Sequence, residues 1–405
     1  MKRLFILLCI GGIALSISAC SLITKPPLET TVTTGGETTV TNGNLETTEP
    51  SSVAGGVAAQ MPMAAISLPV LSESEFADDG VEIFRYTYPN ISITLPDADV
   101  ADKVIVNFLN RVDATRENAD YIYSLAKSAY RSADHWTPYQ CVVNYTPTRM
   151  DMSVLSLLNS HTSFSGSSHP ETVYESVNYD LITGDPISIY NIIDFEDNSD
   201  ALIQLVNNSL REQETEKFLF EEYADTVSDL FSGTKIDSRW YLSNDGLCFF
   251  FAPYEIAPYS SGLITAQIPY SDLTGILSDA FFPAERDGAL GALIPQSFSD
   301  ENAQQFSQIA ELVIDPDTDR VLLYTDQIVY DVEIAYGTWS ASGANFIKQH
   351  TVFSASSLTP GDALMIEASF EDTIPCLRVC YKTKGEIVSA YLSFDKDNNP
   401  ILISH

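Results

Sequence analysis

Residues 240–262 read WYLSNDGLCFFFAPYEIAPYSSG, and this stretch decides the fold class. It holds two apolar runs, WYL and LCFFF, on either side of Asn244-Asp245-Gly246. An Asp-Gly pair between apolar runs is a strong hairpin signal, because it favours the tight turns that join antiparallel strands. A third apolar run at 263–270 continues the pattern, so we expect an antiparallel meander here.

The segment after the second strand contains Ala-Pro-Tyr twice. Because proline cannot donate to a sheet ladder, Pro253 and Pro258 should end the strand and hold the chain extended. Gly262 then lets the chain turn back into the next strand. Tyr254 and Tyr259 are thereby displayed on a stiff backbone, where tyrosines make efficient binding contacts. The alternative is that both rings cap the sheet and are buried.

Helices are predicted only before residue 280, and beyond residue 306 only strands are predicted. A long helix should begin at Pro96-Asp97, where apolar residues start to recur at intervals of three and four. Two more helices are expected near 199–212 and 215–231. Strands at regular spacing beyond residue 306 suggest a sandwich. The predicted fold is therefore α+β, an antiparallel sheet with packed helices followed by a C-terminal all-β sandwich-like domain.

The amino-terminal residues predict export and lipidation. Lys2 and Arg3 precede an apolar stretch that ends in Ile17-Ser18-Ala19-Cys20. This order is typical of a secretory signal peptide, and its last four residues look like a bacterial lipobox, in which the cysteine carries the lipid. We therefore expect a mature protein that is anchored through Cys20 to the outer side of a cell membrane.

Composition divides the chain further. Residues after Cys20 are rich in Thr, Gly, Ser and Pro and lack aromatic residues up to Phe76, as is typical of a disordered tether. The predicted organisation is a signal peptide at 1–19, a lipidated tether at 20–74, a first α+β sub-domain at 75–165, a second at 166–280, a linker at 281–305 and the sandwich at 306–405.

The chain is strongly acidic. It has 55 Asp and Glu against 21 Lys and Arg, which gives a formal net charge of −34. Such a charge repels nucleic acid, since nucleic-acid binding depends on neutralising phosphates with basic residues. It attracts cationic proteins at low salt, although a charged surface also simply keeps a protein soluble.

Cysteine and carboxylate spacing predict no cofactor and no metal site. Cys141 and Cys248 lie in apolar strand candidates, where they are either buried thiols or a pair across a sheet. The carboxylates from Asp315 to Asp326 have the spacing of a calcium loop, but Arg320 stands where the sharp turn needs glycine. We expect a simple hairpin turn there. Neither a catalytic-nucleophile motif nor a phosphate-binding loop marks an active site in the sequence.

Several separated motifs carry a family likeness. They are Ser168-His169-Pro170, the SVNYDLITG of 176–184, the WYLSNDG of 240–246, the PYEIAPY of 253–259 and the IPYSDL of 268–273. Their order and spacing resemble the RsiV-type extracytoplasmic domain, which is found in lysozyme-sensing anti-sigma factors and beside the catalytic domain of PdaC-type peptidoglycan deacetylases. The likeness covers about 200 residues, and it is carried by several motifs that follow one another in the same order.

The resemblance implies a non-catalytic module that binds an extracellular ligand. A lysozyme-like cationic protein or peptidoglycan is the expected partner, with no nucleic acid. The residues that we expect to contact it are Pro253, Tyr254, Glu255, Pro258, Tyr259, Gly262 and His169. Two other hypotheses stay open: a hydrolase acting on cell-wall polymers through paired carboxylates, and a scaffold for a membrane partner.

Overall fold

The computed structural model describes residues 63–284, 291–343, 345–370 and 376–404, without the side chains of 214–217 and 234. The predicted signal peptide, the lipidation site Cys20 and most of the tether lie outside the described residues. The predicted α+β class is confirmed, because the chain combines several largely antiparallel sheets with a few helices. Within these ranges no helix is both long and apolar enough to cross a membrane.

The helices and strands are numbered here in chain order. The helices are α1 Ala98–Tyr130, α2 Ile189–Ile192, α3 Phe195–Lys217, α4 Tyr223–Ser232 and α5 Asp300–Ala303. The strands are β1 Ala65–Ser67, β2 Val70–Phe76, β3 Glu82–Pro89, β4 Ser92–Thr94, β5 Tyr139–Met150, β6 Val154–Phe164, β7 Glu171–Asp180, β8 Trp240–Leu242, β9 Gly246–Phe251, β10 Ile264–Pro269, β11 Ile294–Ser297, β12 Gln308–Val313, β13 Asp319–Tyr324, β14 Val329–Trp339, β15 Phe346–Leu358, β16 Asp362–Ala368, β17 Leu377–Thr383, β18 Glu386–Phe394 and β19 Pro400–Ser404.

The long helix α1 covers a five-stranded sheet of order β2-β3-β5-β6-β7. As predicted, it starts after Asp97, whose carboxylate accepts hydrogen bonds from the backbone N–H groups of Asp99 and Val100. Its buried side chains recur every three or four residues and include Val104 and Phe108. They meet the buried face of the sheet in one core, which fixes the helix along the strands.

The predicted meander forms a second sheet of order β10-β9-β8. One face packs under α3 and α4, with Trp240 and Phe249 fully buried. The other face meets the five-stranded sheet, where Phe250 packs with Leu158 and Tyr174. We call these two sheets together with α1, α3 and α4 the module. It is layered as helix, sheet, sheet and helices. The predicted sub-domain boundary at 165/166 is wrong, because β7 completes the sheet that β6 belongs to.

The C-terminal part contains the predicted two-sheet sandwich. A seven-stranded sheet of order β19-β18-β17-β14-β15-β1-β4 faces a four-stranded sheet of order β11-β13-β16-β12 across one shared core. The sandwich is not confined to 306–405, because β1 and β4 extend its larger sheet and β11, from the predicted linker, extends its smaller one. The predicted tether is also too long, since residues 63–67 are buried.

The turn at Asp315–Asp319 does not join a hairpin. The strands that it connects, β12 and β13, lie on opposite sides of β16, and β12 runs parallel to β16. Glu367 of β16 holds the turn by accepting hydrogen bonds from the backbone N–H of Asp317 at 2.6 Å and from the Arg320 guanidinium at 3.0 Å. Adjacent strands in sequence were expected to pair, and the inserted strand overturns that expectation.

Candidate functional site

The loop between β9 and β10 carries the residues expected to bind a ligand. Ile264 pairs with Phe251, so residues 252–263 form a long connection at one end of the three-stranded sheet. Ile256 and Ala257 are buried in the core beneath α3 and α4, and the backbone oxygen of Ile256 accepts a hydrogen bond from the N–H of Phe220 at 2.9 Å. The middle of the loop is therefore fixed to the module rather than free in solvent.

Glu255 braces this loop from within. Its carboxylate accepts two hydrogen bonds from Arg239, at 2.8 and 3.1 Å, and a third from the backbone N–H of Ala252 at 2.6 Å. Bidentate arginine–carboxylate pairs fix orientation as well as contributing energy. The Glu255 carboxylate thus supports the loop, and the expectation that Glu255 also contacts a ligand stays a prediction.

Tyr254 and Tyr259 project from the braced loop. The side chain of Tyr254 is 64% exposed, and its backbone has a φ of +70°, a left-handed conformation that is uncommon for residues other than glycine. Tyr259 is 37% exposed, and the two ring centroids lie 5.4 Å apart. The prediction that the loop displays both tyrosines agrees with this geometry, and Gly262 makes the expected turn with a φ of +67°.

The turn between β6 and β7 brings His169 to the same place. The His169 ring lies 4.9 Å from the Tyr259 ring, centroid to centroid, and the Tyr259 hydroxyl donates to the backbone oxygen of Pro170 at 3.3 Å. Ser167 supports the turn by donating to the backbone oxygen of His169 at 2.6 Å. We call the three rings of Tyr254, Tyr259 and His169 the aromatic ridge.

A cavity of about 390 Å³ lies beside the ridge. Its walls include Phe250 and Phe251 of β9, the Arg239–Glu255 pair, and Asp229 of α4. Arg239 is not among the residues predicted from the sequence, although it directly precedes the WYL strand and is one of only 21 Lys and Arg residues in the chain. The cavity gives the surface beside the ridge a concave, partly charged face.

The carboxylate of Glu255 bears on the hydrolase hypothesis. A wall-polymer hydrolase needs one carboxyl group that is free to donate a proton and a second that is free to attack or activate water. Glu255 already accepts hydrogen bonds from Arg239 and from a backbone N–H, so it is engaged in supporting the loop. Among the described residues, no group of three or more His, Cys, Asp or Glu side chains is placed to hold a metal ion.

Cys141 and Cys248, which the sequence predicted as either buried thiols or a disulfide, do not form a disulfide. Cys141 and Cys248 are both free and buried, the first in the core under α1 and the second between the two sheets of the module. Burial raises the pKa of both thiols, that of Cys248 to about 11. They are therefore protonated at neutral pH and add packing rather than reactivity.

Residues 193–271 match the family model described as a protein of unknown function (DUF3298), so the chain contains a DUF3298 domain there. A crystal structure of a DUF3298 family member from Bacteroides fragilis NCTC 9343 is 18% identical, with a TM-score of 0.38, covering 54% of this chain and 94% of its own. A DUF3298 family protein from Pseudomonas aeruginosa PAO1 is 16% identical, with a TM-score of 0.39, covering 54% and 98%. No curated protein matched the chain.

Proposed function

We propose that this protein is a non-catalytic surface lipoprotein, held to the membrane through Cys20, whose aromatic ridge binds an extracellular ligand. The observation that carries the proposal is the ridge itself, three rings displayed by two supported loops, with Tyr254 at a φ of +70°. Unusual backbone conformations persist where the surroundings hold them, and they cluster at functional sites. Rigid exposed tyrosines lose little conformational entropy when they bind.

The ligand that fits best is a cationic protein. The net charge of −34 favours a positively charged partner and speeds its approach at low ionic strength. The resemblance to RsiV-type domains points to a lysozyme-like muramidase, and peptidoglycan is the other candidate from the same resemblance. Tyr254 and Tyr259 would be the central contacts, with His169 and Pro170 beside them.

The test replaces both tyrosines and measures binding and folding together. We expect Tyr254→Ala/Tyr259→Ala to bind immobilised lysozyme about thirtyfold more weakly than wild type, because hot-spot aromatics together contribute about 2 kcal/mol or more. The melting temperature should stay within a few degrees, since Tyr254 is largely exposed. Tyr190→Ala, which removes a ring that is 53% exposed elsewhere in the module, is the matched control and should bind as wild type does.

Two results would contradict the proposal. A double variant that melts lower yet binds lysozyme as tightly as wild type would mean that the rings serve only packing. Absence of binding to both lysozyme and peptidoglycan at low salt would mean that the ligand class is wrong. As a check on the role of charge, the association rate should fall as ionic strength rises.

A further inference from the structure

A second cavity, a groove larger than the one beside the ridge, lies on the face of the five-stranded sheet that α1 covers. It runs between α1 and the part of β6 and β7 that is nearest to their connecting turn, and its volume is about 710 Å³. Small-molecule sites typically enclose about 300–1,000 Å³, so the groove is large enough for one. No ring of the aromatic ridge is among its lining residues. We call it the helix–sheet groove.

The groove exists because the buried face of β6 changes from apolar to polar. Alternate residues of a strand share one face, and Leu155 and Leu157 pack in the core under α1. The next residues on that face are Asn159, His161 and Ser163, which line the groove. A sheet face under a helix is ordinarily apolar, so these three side chains lie where packing alone would favour leucine or valine.

Two of these lining side chains contain buried polar atoms that lack a hydrogen-bond partner. Asn159 is only 5% exposed, and its Oδ1 atom finds no hydrogen-bond donor in the part of the chain that the structure describes. The Nε2 atom of His161 is likewise buried without a partner there. An unsatisfied buried polar atom destabilises the fold, so such atoms are rare and call for an explanation. Burial lowers the pKa of His161, although the negative charge of Glu175 acts to raise it. The ring is therefore neutral at pH 7.

The charges around the groove restrict what can enter it. Arg111 of α1 is the one basic residue of its lining, against the carboxylates of Glu171 and Glu175 on β7. This balance disfavours phosphates and other anions. Tyr121 of α1, which is 60% exposed, adds an aromatic surface at the rim. The lining thus combines an amide oxygen, a neutral imidazole, carboxylates and an aromatic ring.

We propose that the helix–sheet groove binds an uncharged carbohydrate. Sugar hydroxyls both donate and accept, so one sugar ring can donate to Asn159 Oδ1 and pair with the neutral imidazole of His161 in either tautomer. The apolar C–H face of a sugar packs well on an aromatic ring such as Tyr121. This proposal does not rest on the aromatic ridge, because the two sites share none of the residues that it uses.

The test measures binding of soluble neutral trisaccharides, namely chitotriose, cellotriose and maltotriose, to the full-length chain by titration calorimetry. We expect at least one of them to bind the wild-type protein. Asn159→Leu should weaken that binding about tenfold or more, because it removes the buried acceptor while keeping the volume. Its melting temperature should stay the same or rise, since an unpaired polar atom is replaced by an apolar group. Tyr121→Ala, at an exposed position, should also weaken binding.

Tyr190→Ala, which removes an exposed ring outside both the groove and the ridge, is the control and should leave trisaccharide affinity unchanged. The ridge variant Tyr254→Ala/Tyr259→Ala is measured beside it to tell the two sites apart. The proposal is overturned if none of the three sugars binds at millimolar concentration, or if Asn159→Leu and Tyr121→Ala bind as well as wild type does. Loss of sugar binding in the ridge variant alone would place the carbohydrate at the ridge, which overturns the groove assignment and leaves the proposed function standing. Competition by inorganic phosphate would equally overturn the choice of an uncharged ligand.

Discussion

At the scale of single residues, Glu73 shows how one carboxylate ties an edge strand to the module. It lies on β2 and accepts hydrogen bonds from the Arg116 guanidinium of α1, at 2.9 and 3.0 Å, and from the Tyr88 hydroxyl at 2.6 Å. The Arg116 guanidinium also lies over the rings of Tyr86 and Tyr88. Its hydrogen bonds to Arg116, followed by the one from Tyr88, lower the pKa of Glu73 from 4.5 to about 2.

This shift predicts a pH dependence of stability. A carboxyl group whose pKa is lower in the folded state stabilises the fold above its unfolded pKa, and the contribution is lost as pH falls toward the folded value. The difference in melting temperature between wild type and Glu73→Gln should therefore be largest above about pH 5 and shrink between pH 5 and 2. Glu117→Gln, at an exposed position of α1, is the control. A difference that is constant over this range would contradict the assignment.

Glu73 also shows a limit of sequence-based prediction. Its surroundings, the SES sequence at 72–74, have the composition of a tether, and they were assigned to one. β2 is an edge strand whose residues from Leu71 to Phe76 are exposed, so no apolar alternation marks it. Its order comes from partners that are distant in sequence, such as Arg116 on α1, and local composition carries no information about such partners.

At the scale of elements, the hairpin that decides the fold class is present for a partly different reason. The sequence predicts Gly246 in the tight turn between the two apolar runs. In the structure Gly246 is the first residue of β9, opposite Pro269 of β10. A Cβ atom at this position would overlap the backbone oxygen of Ile268. Glycine is required there because two backbones approach closely, which a single sequence cannot reveal.

This close approach predicts that Gly246→Ala separates β9 from β10. We expect a loss of about 1–3 kcal/mol in the free energy of unfolding, the usual cost of forcing atoms into a packed site. Gly233→Ala is the matched control, since its added Cβ would lie 3.2 Å from the backbone oxygen of Asp229 and needs only a small adjustment. Chemical denaturation of both variants measures the difference. Equal stabilities would show that the sheet adapts to the added methyl group.

The residues of the candidate site could be predicted one by one from the sequence, but the contacts between them could not. Proline and tyrosine in the loop indicated a stiff aromatic surface, and His169 was singled out separately by its motif. Nothing in the sequence places His169 against Tyr259, because the two residues are joined only through the packing of one sheet on another. The supporting role of Glu255 was missed because its partner, Arg239, lies on the other side of the hairpin.

At the scale of the whole molecule, β1 joins the module to the sandwich. The residues of β1 and its immediate neighbours alternate between two cores, with Ala64, Ile66 and Leu68 in the core under α1 and with Met63 and Ala65 in the core of the sandwich. All five are at most 1% exposed. The domain boundaries drawn from the sequence miss this, because a strand of three residues in a stretch without aromatic residues has no recognisable pattern.

The shared strand predicts that the described parts unfold together. Ile66→Ala should lower the temperature of a single calorimetric transition, since truncating a buried isoleucine costs about 2–5 kcal/mol. Leu71→Ala, a truncation at a residue that is 42% exposed in the following strand, should change it little. Two resolved transitions, of which only one shifts in Ile66→Ala, would mean that the module and the sandwich are independent.

The position of β1 also has a mechanical consequence. β1 is hydrogen-bonded to β15 on one side and to β4 on the other, antiparallel to both. A pull directed along β1 would load both rows of hydrogen bonds in shear, so that they must break together rather than peel one by one. Resistance to such a pull is set by the rate of forced unfolding and not by equilibrium stability. If the chain is anchored at its amino terminus, a force on the bound ligand is therefore resisted by the hydrogen bonds of β1.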